Sequence, residues 1–258
     1  MKRKITEETK KAWGDNWKDH SVEKVLEIFR YTRVQRMLNT FITVLPEGGK
    51  ILEGGCGLGP WMIKLRSMGY DVTGVDYDPV SVEKIKTYDK SIPVHVANIE
   101  KMPFEDDHFD SYMSLGVLEH FCEGPQSAIK EACRVLKPGG TFIILLPYMN
   151  FMLRAKYPFA MLKRNKFLRK ILKKDDKAFY YEKYFKVKEI SRLLEEGGFK
   201  VEKAFPVDHI FSFVSFSSMF RDKNTYDGEN SLAIMLSDLL RGIFPWQTAG
   251  SSMIVAKK

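Results

Sequence analysis

The chain has 258 residues, 44% of them hydrophobic and 29% charged, which suits one large globular domain or one domain carrying a sizeable insertion. Its basic start, MKRKITEETKK, lacks the apolar stretch of a secretory signal, and no apolar run reaches the roughly 18 residues that a membrane-spanning helix needs. The net charge of +8 is local: residues 148–188 hold thirteen Lys or Arg against Asp175, Asp176 and Glu182, a balance of +10, so the remainder sums to −2.

In chain order, residues 5–45 read as helix, with Val22, Val25, Leu26, Phe29 and Val34 near a 3.6-residue period. The helical signal pauses at Gly14 and resumes by Ser21, an expected N-cap with Lys24 at the third helical position. After the turn Pro46–Gly49, a strand at 50–53 breaks into a glycine run. Helix (60–68), strand (71–76), helix (79–88), strand (94–97), strand (109–114), helix (124–136) and strand (141–146) follow. Strands alternating with helices at this spacing predict a doubly wound, mostly parallel α/β sheet, with the ligand edge at the strand C-terminal ends. Beyond Pro147 the rhythm stops. A helix at 186–196 closes at Gly197-Gly198, and strands at 200–205 and 252–256 are separated by an insertion with its own helix near 230–241.

The loop Glu53-Gly54-Gly55-Cys56-Gly57-Leu58-Gly59 lies between a strand and a helix, and Pro60 fits the first helical turn. A dinucleotide site wants Gly-x-Gly-x-x-Gly, yet the sixth position is Pro60 counted from Gly55 and Met62 counted from Gly57. An acid at the loop entrance suits a cationic ligand better than a pyrophosphate. Asp76 ends the next strand, 21 residues past Gly55, where a carboxylate can accept both hydroxyls of a ribose. A turn without any ligand is the plainer alternative, and Asp76 also suits a helix cap, though Asp78 before Pro79 suits one better. Cys56, Cys122 and Cys133 have neither metal-ligand nor disulfide-framework spacing, so no metal is expected and a reducing cytoplasm is the simplest compartment.

The stretches ILEGGCGLG, VTGVDYDP, ANIEKMPFEDDHFD, SLGVLEH and RVLKPGGTFII, in this order and spacing, resemble the class I methyltransferases that use S-adenosylmethionine. The resemblance covers about residues 48–147, and EEGGFKV and SSMIVAKK are similar to the family's last strands. It implies a Rossmann-like seven-stranded sheet with an antiparallel last strand, and S-adenosylmethionine as cofactor, leaving as S-adenosylhomocysteine. On its terms Glu53, Gly55, Cys56, Gly57 and Gly59 form the loop around the methionine part, and Asp76 binds the ribose with Tyr77 beside the adenine. Asn98, where the family commonly has Asp, and Ile99 contact the adenine edge; Leu115 and Gly116 lie beneath the sulfonium, with Glu119 and His120 at the mouth.

Methyl transfer from a sulfonium is an in-line displacement that needs alignment and exclusion of water, and a general base only for an acceptor proton of high pKa. His120 is the first candidate for such a base and His209 the second, although a lone His serves as often in structure. The expected organisation is an N-terminal helical lid (1–45), an α/β core (46–147), a basic amphipathic cap (148–185), the rest of the core (186–206 and 251–258) and a second insertion over the acceptor site (207–250). Trp13 and Trp17 share a helical face and read as a lid or as core anchors; Tyr148, Phe211 and Phe213 are acceptor-side candidates. Residues 159–174 interleave apolar and basic side chains, as at an anionic membrane surface or simply a solvated face. Together these predict a small-molecule acceptor of amphiphilic or lipid-like character, and rank a nucleic-acid acceptor lower.

Overall fold

The computed structural model describes residues 13–15, 17–156, 182–222 and 228–258. The predicted basic helix at 159–174 and the start of the predicted N-terminal helix lie outside the described residues.

Seven strands form one sheet: β1 (Lys50–Gly54), β2 (Asp71–Asp76), β3 (Val94–Val96), β4 (Phe109–Leu115), β5 (Leu136–Pro147), β6 (Lys200–Val207) and β7 (Ser251–Lys257). Their order is β3-β2-β1-β4-β5-β7-β6. The first five pair in parallel, while β7 runs antiparallel to both β5 and β6. The predicted α/β class, the parallel core and the antiparallel last strand are therefore all present. β5 begins earlier than its expected start at 141, because Leu136 already pairs with Phe109 ahead of a shift in register.

Side-chain alternation along the strands divides the core in two. Leu52, Tyr112, Phe142, Ile144 and Ile254 face the helices Gln126–Val135 and Val187–Glu196, meeting Ala128, Ile129, Ala132, Ile190 and Leu194. Their neighbours Ile51, Met113, Ile143 and Met253 face the helices Thr32–Val44, Pro60–Ser67 and Pro79–Tyr88, against Met37, Phe41, Met62, Leu65 and Ile85. Because both faces are covered, β1 and β4 read as nearly continuous buried runs. Helix Thr32–Val44 is thus a buried layer of the core, with Phe41 fully enclosed.

The expected pause at Gly14 falls later: residues 13–15 and 17–18 are helical and the break comes at 19–21. Its cause is Lys84, whose ammonium donates to the carbonyls of Trp17, Lys18 and His20 and so satisfies the end of that turn. Ser21 then caps the helix Val22–Leu26 as predicted, its hydroxyl accepting from the Lys24 N–H. The second insertion holds the helices His209–Phe216 and Ser231–Arg241 around a third small core of Ile210, Phe213, Val214, Phe220 and Ala233.

Candidate functional site

At the C-terminal ends of β1, β2 and β4, where a doubly wound sheet binds its ligands, lies a cavity of about 760 Å³. Glu53 of β1, Asp76 of β2 and Leu115 of β4 all line it. The crossover from β1 into helix Pro60–Ser67 forms its floor. Gly55 there has φ +74°, and a Cβ on it would come within 2.6 Å of the Val117 side chain. Gly57, at φ +55°, lies under the Trp17 indole, which a Cβ would meet at 3.1 Å. Backbone and ligand can therefore approach closely along this loop.

Asp76 organises the loop. Its Oδ2 accepts from the Gly57 N–H at 2.7 Å and its Oδ1 from the Asp78 N–H at 2.9 Å. Burial raises its pKa, and backbone N–H donors, those of Asp78 and Gly57 foremost, oppose that rise. Asp78, not Asp76, caps the next helix, accepting from the N–H groups of Val80 and Ser81.

Two other acids in the cavity have an oxygen without a hydrogen-bond partner. Glu53 Oε2 and Glu119 Oε2 are both in this state, and the two residues are 3% and 4% exposed. Burial pushes each carboxyl up to about 8; nearby Asp76 adds to the rise at Glu53, and Glu182 adds to it at Glu119. An unpaired buried carboxylate is costly, so each acid holds its proton until a cation or donor reaches it. Cys56 also lines the cavity, but burial pushes its thiol up, which leaves it a protonated filler of the loop.

The roof is aromatic. Trp13 and Trp17 stack with centroids 5.8 Å apart, and Trp13 meets the edge of His120 at 5.1 Å. His120 Nε2 is 3.9 Å from Glu119 Oε1. Of the residues singled out from sequence, Glu53, Gly55, Cys56, Gly57, Asp76, Tyr77, Asn98, Ile99, Leu115, Gly116, His120, Trp13 and Trp17 all line this one cavity. Asn98 is turned towards its own loop, its Oδ1 accepting from the Glu100 N–H at 3.1 Å.

Five candidates do not line it. Gly59 caps helix Pro60–Ser67 with φ +69° and packs against Met62 and Ile85. His209 faces a separate cavity of about 130 Å³, its Nδ1 2.9 Å from the Thr248 hydroxyl, and burial lowers its pKa. Tyr148 packs on Trp246, Phe211 lies beneath the Arg33 guanidinium, and Phe213 is buried against Phe220. Phe213 serves the insertion's own core, whereas Phe211 is partly exposed and contacts Arg33 of helix Thr32–Val44. Sequence reasoning passed over Trp61 and Glu182, which also line the cavity. Glu182 arrives because the Lys183 N–H bonds the Glu119 carbonyl at 2.9 Å, a long-range contact without a local signal. Among the described residues no group of three or more His, Cys, Asp or Glu is placed to hold a metal ion.

Residues 52–144 match the methyltransferase domain family. An uncharacterized protein of Methanocaldococcus jannaschii is 37% identical over 164 residues, 60% of this chain and 67% of that protein. The demethylmenaquinone methyltransferase of Staphylococcus aureus is 32% identical over 169 residues, 59% of this chain and 68% of that enzyme. Against three other relatives the matched stretch spans under half of their length. Among solved structures, the Streptomyces coelicolor geranyl diphosphate C-methyltransferase, in complex with S-adenosyl-L-homocysteine, superposes with a TM-score of 0.57 at 12% identity, covering 86% of this chain and 80% of that one.

Proposed function

Since the chain belongs to the class I S-adenosylmethionine-dependent methyltransferases, we propose that it transfers the methyl group of S-adenosylmethionine to a small amphiphilic or lipid-like acceptor. The observation that carries the cofactor reading is the unpartnered, buried Glu53 Oε2 at the entrance of a glycine loop that lacks the third glycine of a dinucleotide site. A buried acid of this kind fits an ammonium or a sulfonium. Bound S-adenosylmethionine supplies a methyl group on a positively charged sulfur.

The chain's own residues bind, orient and exclude water. Glu53 meets the cationic amino-acid end and gives up its proton as it does so. Asp76, held by the Gly57 and Asp78 N–H groups at the cavity wall, would accept the ribose hydroxyls. Trp13 and Trp17 cover the loop and keep water away from the reacting atoms. Glu119 and His120 line the same cavity and can meet an acceptor hydroxyl or amine there, with His120 the group to take its proton where the acceptor needs a base. The amphiphilic reading is supported by the apolar and aromatic wall of Trp13, Trp17, Trp61, Val117 and Phe121, and by the quinone and prenyl acceptors named for two similar proteins.

Calorimetric titration with S-adenosylmethionine and separately with NADH tests the cofactor, with Asp76→Ala as the control. Binding of the former alone, lost in the variant, is the expected result, and an acceptor screen then begins with amphiphiles. Binding of NADH, or of neither ligand, overturns the reading.

A further inference from the structure

The main cavity holds more acids than its cofactor needs. Glu53, Asp76, Glu100, Glu119, Glu123 and Glu182 line it, and among the described residues no Lys or Arg does. Composition does not explain this, because the chain as a whole has a net charge of +8. Glu53 and Asp76 are assigned to the amino-acid end and the ribose, and Glu100 accepts from the Asn98 side chain. Glu119, Glu123 and Glu182 are left over.

Glu119 is built to meet a cation. It is 4% exposed, and its Oε2 has no hydrogen-bond partner among the described residues. Its Oε1 lies 3.9 Å from His120 Nε2 and 3.6 Å from where a Cβ on Gly116 would stand. Gly116 is the residue that the family resemblance sets beneath the sulfonium, so on that reading the carboxyl stands beside the point of methyl delivery. The charge of Glu182 adds to the effect of burial in holding a proton on Glu119, and Lys183, next to Glu182, pairs with Glu189 instead. Two carboxyls that disfavour each other's charge are relieved together by one cation. The wall around them includes Trp13, Trp17, Trp61 and Phe121, aromatic rings of the kind that attract an ammonium.

We infer that the methyl acceptor is an amphiphilic amine, held as its ammonium by Glu119 and Glu182 and methylated on nitrogen. This deepens the methyl-transfer reading and rests on it. The step balances: the ammonium gives one proton to His120, and the freed nitrogen pair forms the new C–N bond. The C–S pair stays with the departing sulfur, whose positive charge ends on the product nitrogen. An anionic acceptor would instead meet acids at every side of the cavity.

The test is calorimetric titration of the full chain, first with S-adenosylhomocysteine and then, at saturation, with octylamine, octanol and octanoate, which share one apolar character. Octylamine is expected to bind, octanol at least about tenfold more weakly, and octanoate not at all. Glu119→Gln lowers octylamine affinity by about tenfold or more, and Glu182→Gln, at an exposed position, lowers it less. Both leave the affinities for octanol and S-adenosylhomocysteine unchanged. With S-adenosylmethionine as the bound ligand, mass spectrometry should find N-methyloctylamine. Equal affinity for octylamine and octanol, no octylamine binding, binding indifferent to both substitutions, or no methylated amine overturns the inference while the cofactor reading stands. Lost S-adenosylhomocysteine affinity in Glu119→Gln also overturns it, because that acid would then belong to the cofactor. Failure of S-adenosylhomocysteine to bind the unaltered chain overturns the methyl-transfer reading, and this inference with it.

Discussion

The Lys84 ammonium donates to the Trp17 carbonyl at 2.8 Å, and this ties the indole lying over Gly57 to helix Pro79–Tyr88. The same ammonium reaches the carbonyls of Lys18 and His20, so one side chain fixes the position of the aromatic roof. Lys84→Met keeps the aliphatic stem and removes the three bonds. Loss of charge-assisted bonds worth about 1.5–3 kcal/mol predicts S-adenosylmethionine affinity lower by about tenfold or more. Titration calorimetry reads this, and adding Trp17→Ala should bring little further loss if both act through the same roof.

Gly55→Ala places a methyl against the Val117 side chain in a left-handed backbone conformation. The two effects together predict a loss of about 2–4 kcal/mol in urea unfolding, and loss of cofactor binding. Gly69 is the comparison: its φ is +94° but an added Cβ meets nothing within 4 Å, so Gly69→Ala should cost only about 1–2 kcal/mol and leave binding intact. Val117→Ala should restore part of the loss in the Gly55 variant.

Asp76→Asn tests the loop's organiser. One Asn position is an NH₂, which cannot accept from the Gly57 or Asp78 N–H. An unsatisfied buried donor costs about 1–3 kcal/mol, so cofactor affinity should fall by about 10- to 100-fold while the protein remains folded. Calorimetry together with a thermal melt separates the two effects.

Glu53 and Glu119 set a pH dependence of definite sign. Each has a folded-state pKa of about 8, raised first by burial from the ordinary glutamate value of 4.5. Between those values the folded chain holds protons that the unfolded chain has released. Their stabilisation is complete below about 4.5 and is lost as pH climbs through about 8. Asp208, pushed up to about 6, acts in the same direction over the lower part of that window. The ligand-free melting temperature should therefore fall from about pH 5 to about pH 8, less steeply in Glu53→Gln and Glu119→Gln. Cofactor binding at neutral pH should also release a proton at Glu53, seen as a calorimetric enthalpy that changes with buffer and loses that dependence in Glu53→Gln.

The α/β core was legible because its signals are local. Strand alternation, the glycine loop, Ser21 and Asp78 as caps, and Asp76 at a strand end each follow from a few neighbouring residues. The resemblance added an order for the motifs, and twelve of the residues it singled out, Glu119 among them, lie at one cavity together with Trp13 and Trp17. What escaped was set by long-range packing. Lys84 reads as an ordinary surface lysine on its helix, and Glu182 reaches the cavity only through the Lys183–Glu119 backbone bond. Phe211 and Phe213 look equally suited to an acceptor pocket and to a small cap core, and only their neighbours Arg33 and Phe220 distinguish the two.

The second insertion leaves the sheet and returns to it at one point. The Gly250 N–H is bonded to the carbonyls of Val207 and Asp208, at the junction of β6 and β7. A Cβ at Gly250 would come within 2.6 Å of the Asp208 carbonyl oxygen, so this crossing of two chain segments depends on glycine. An insertion whose ends are one hydrogen bond apart behaves as a cassette. A short hairpin turn could replace it without altering the β6–β7 register, and a cap from a related enzyme could be grafted at the same two residues to exchange whatever recognition it carries.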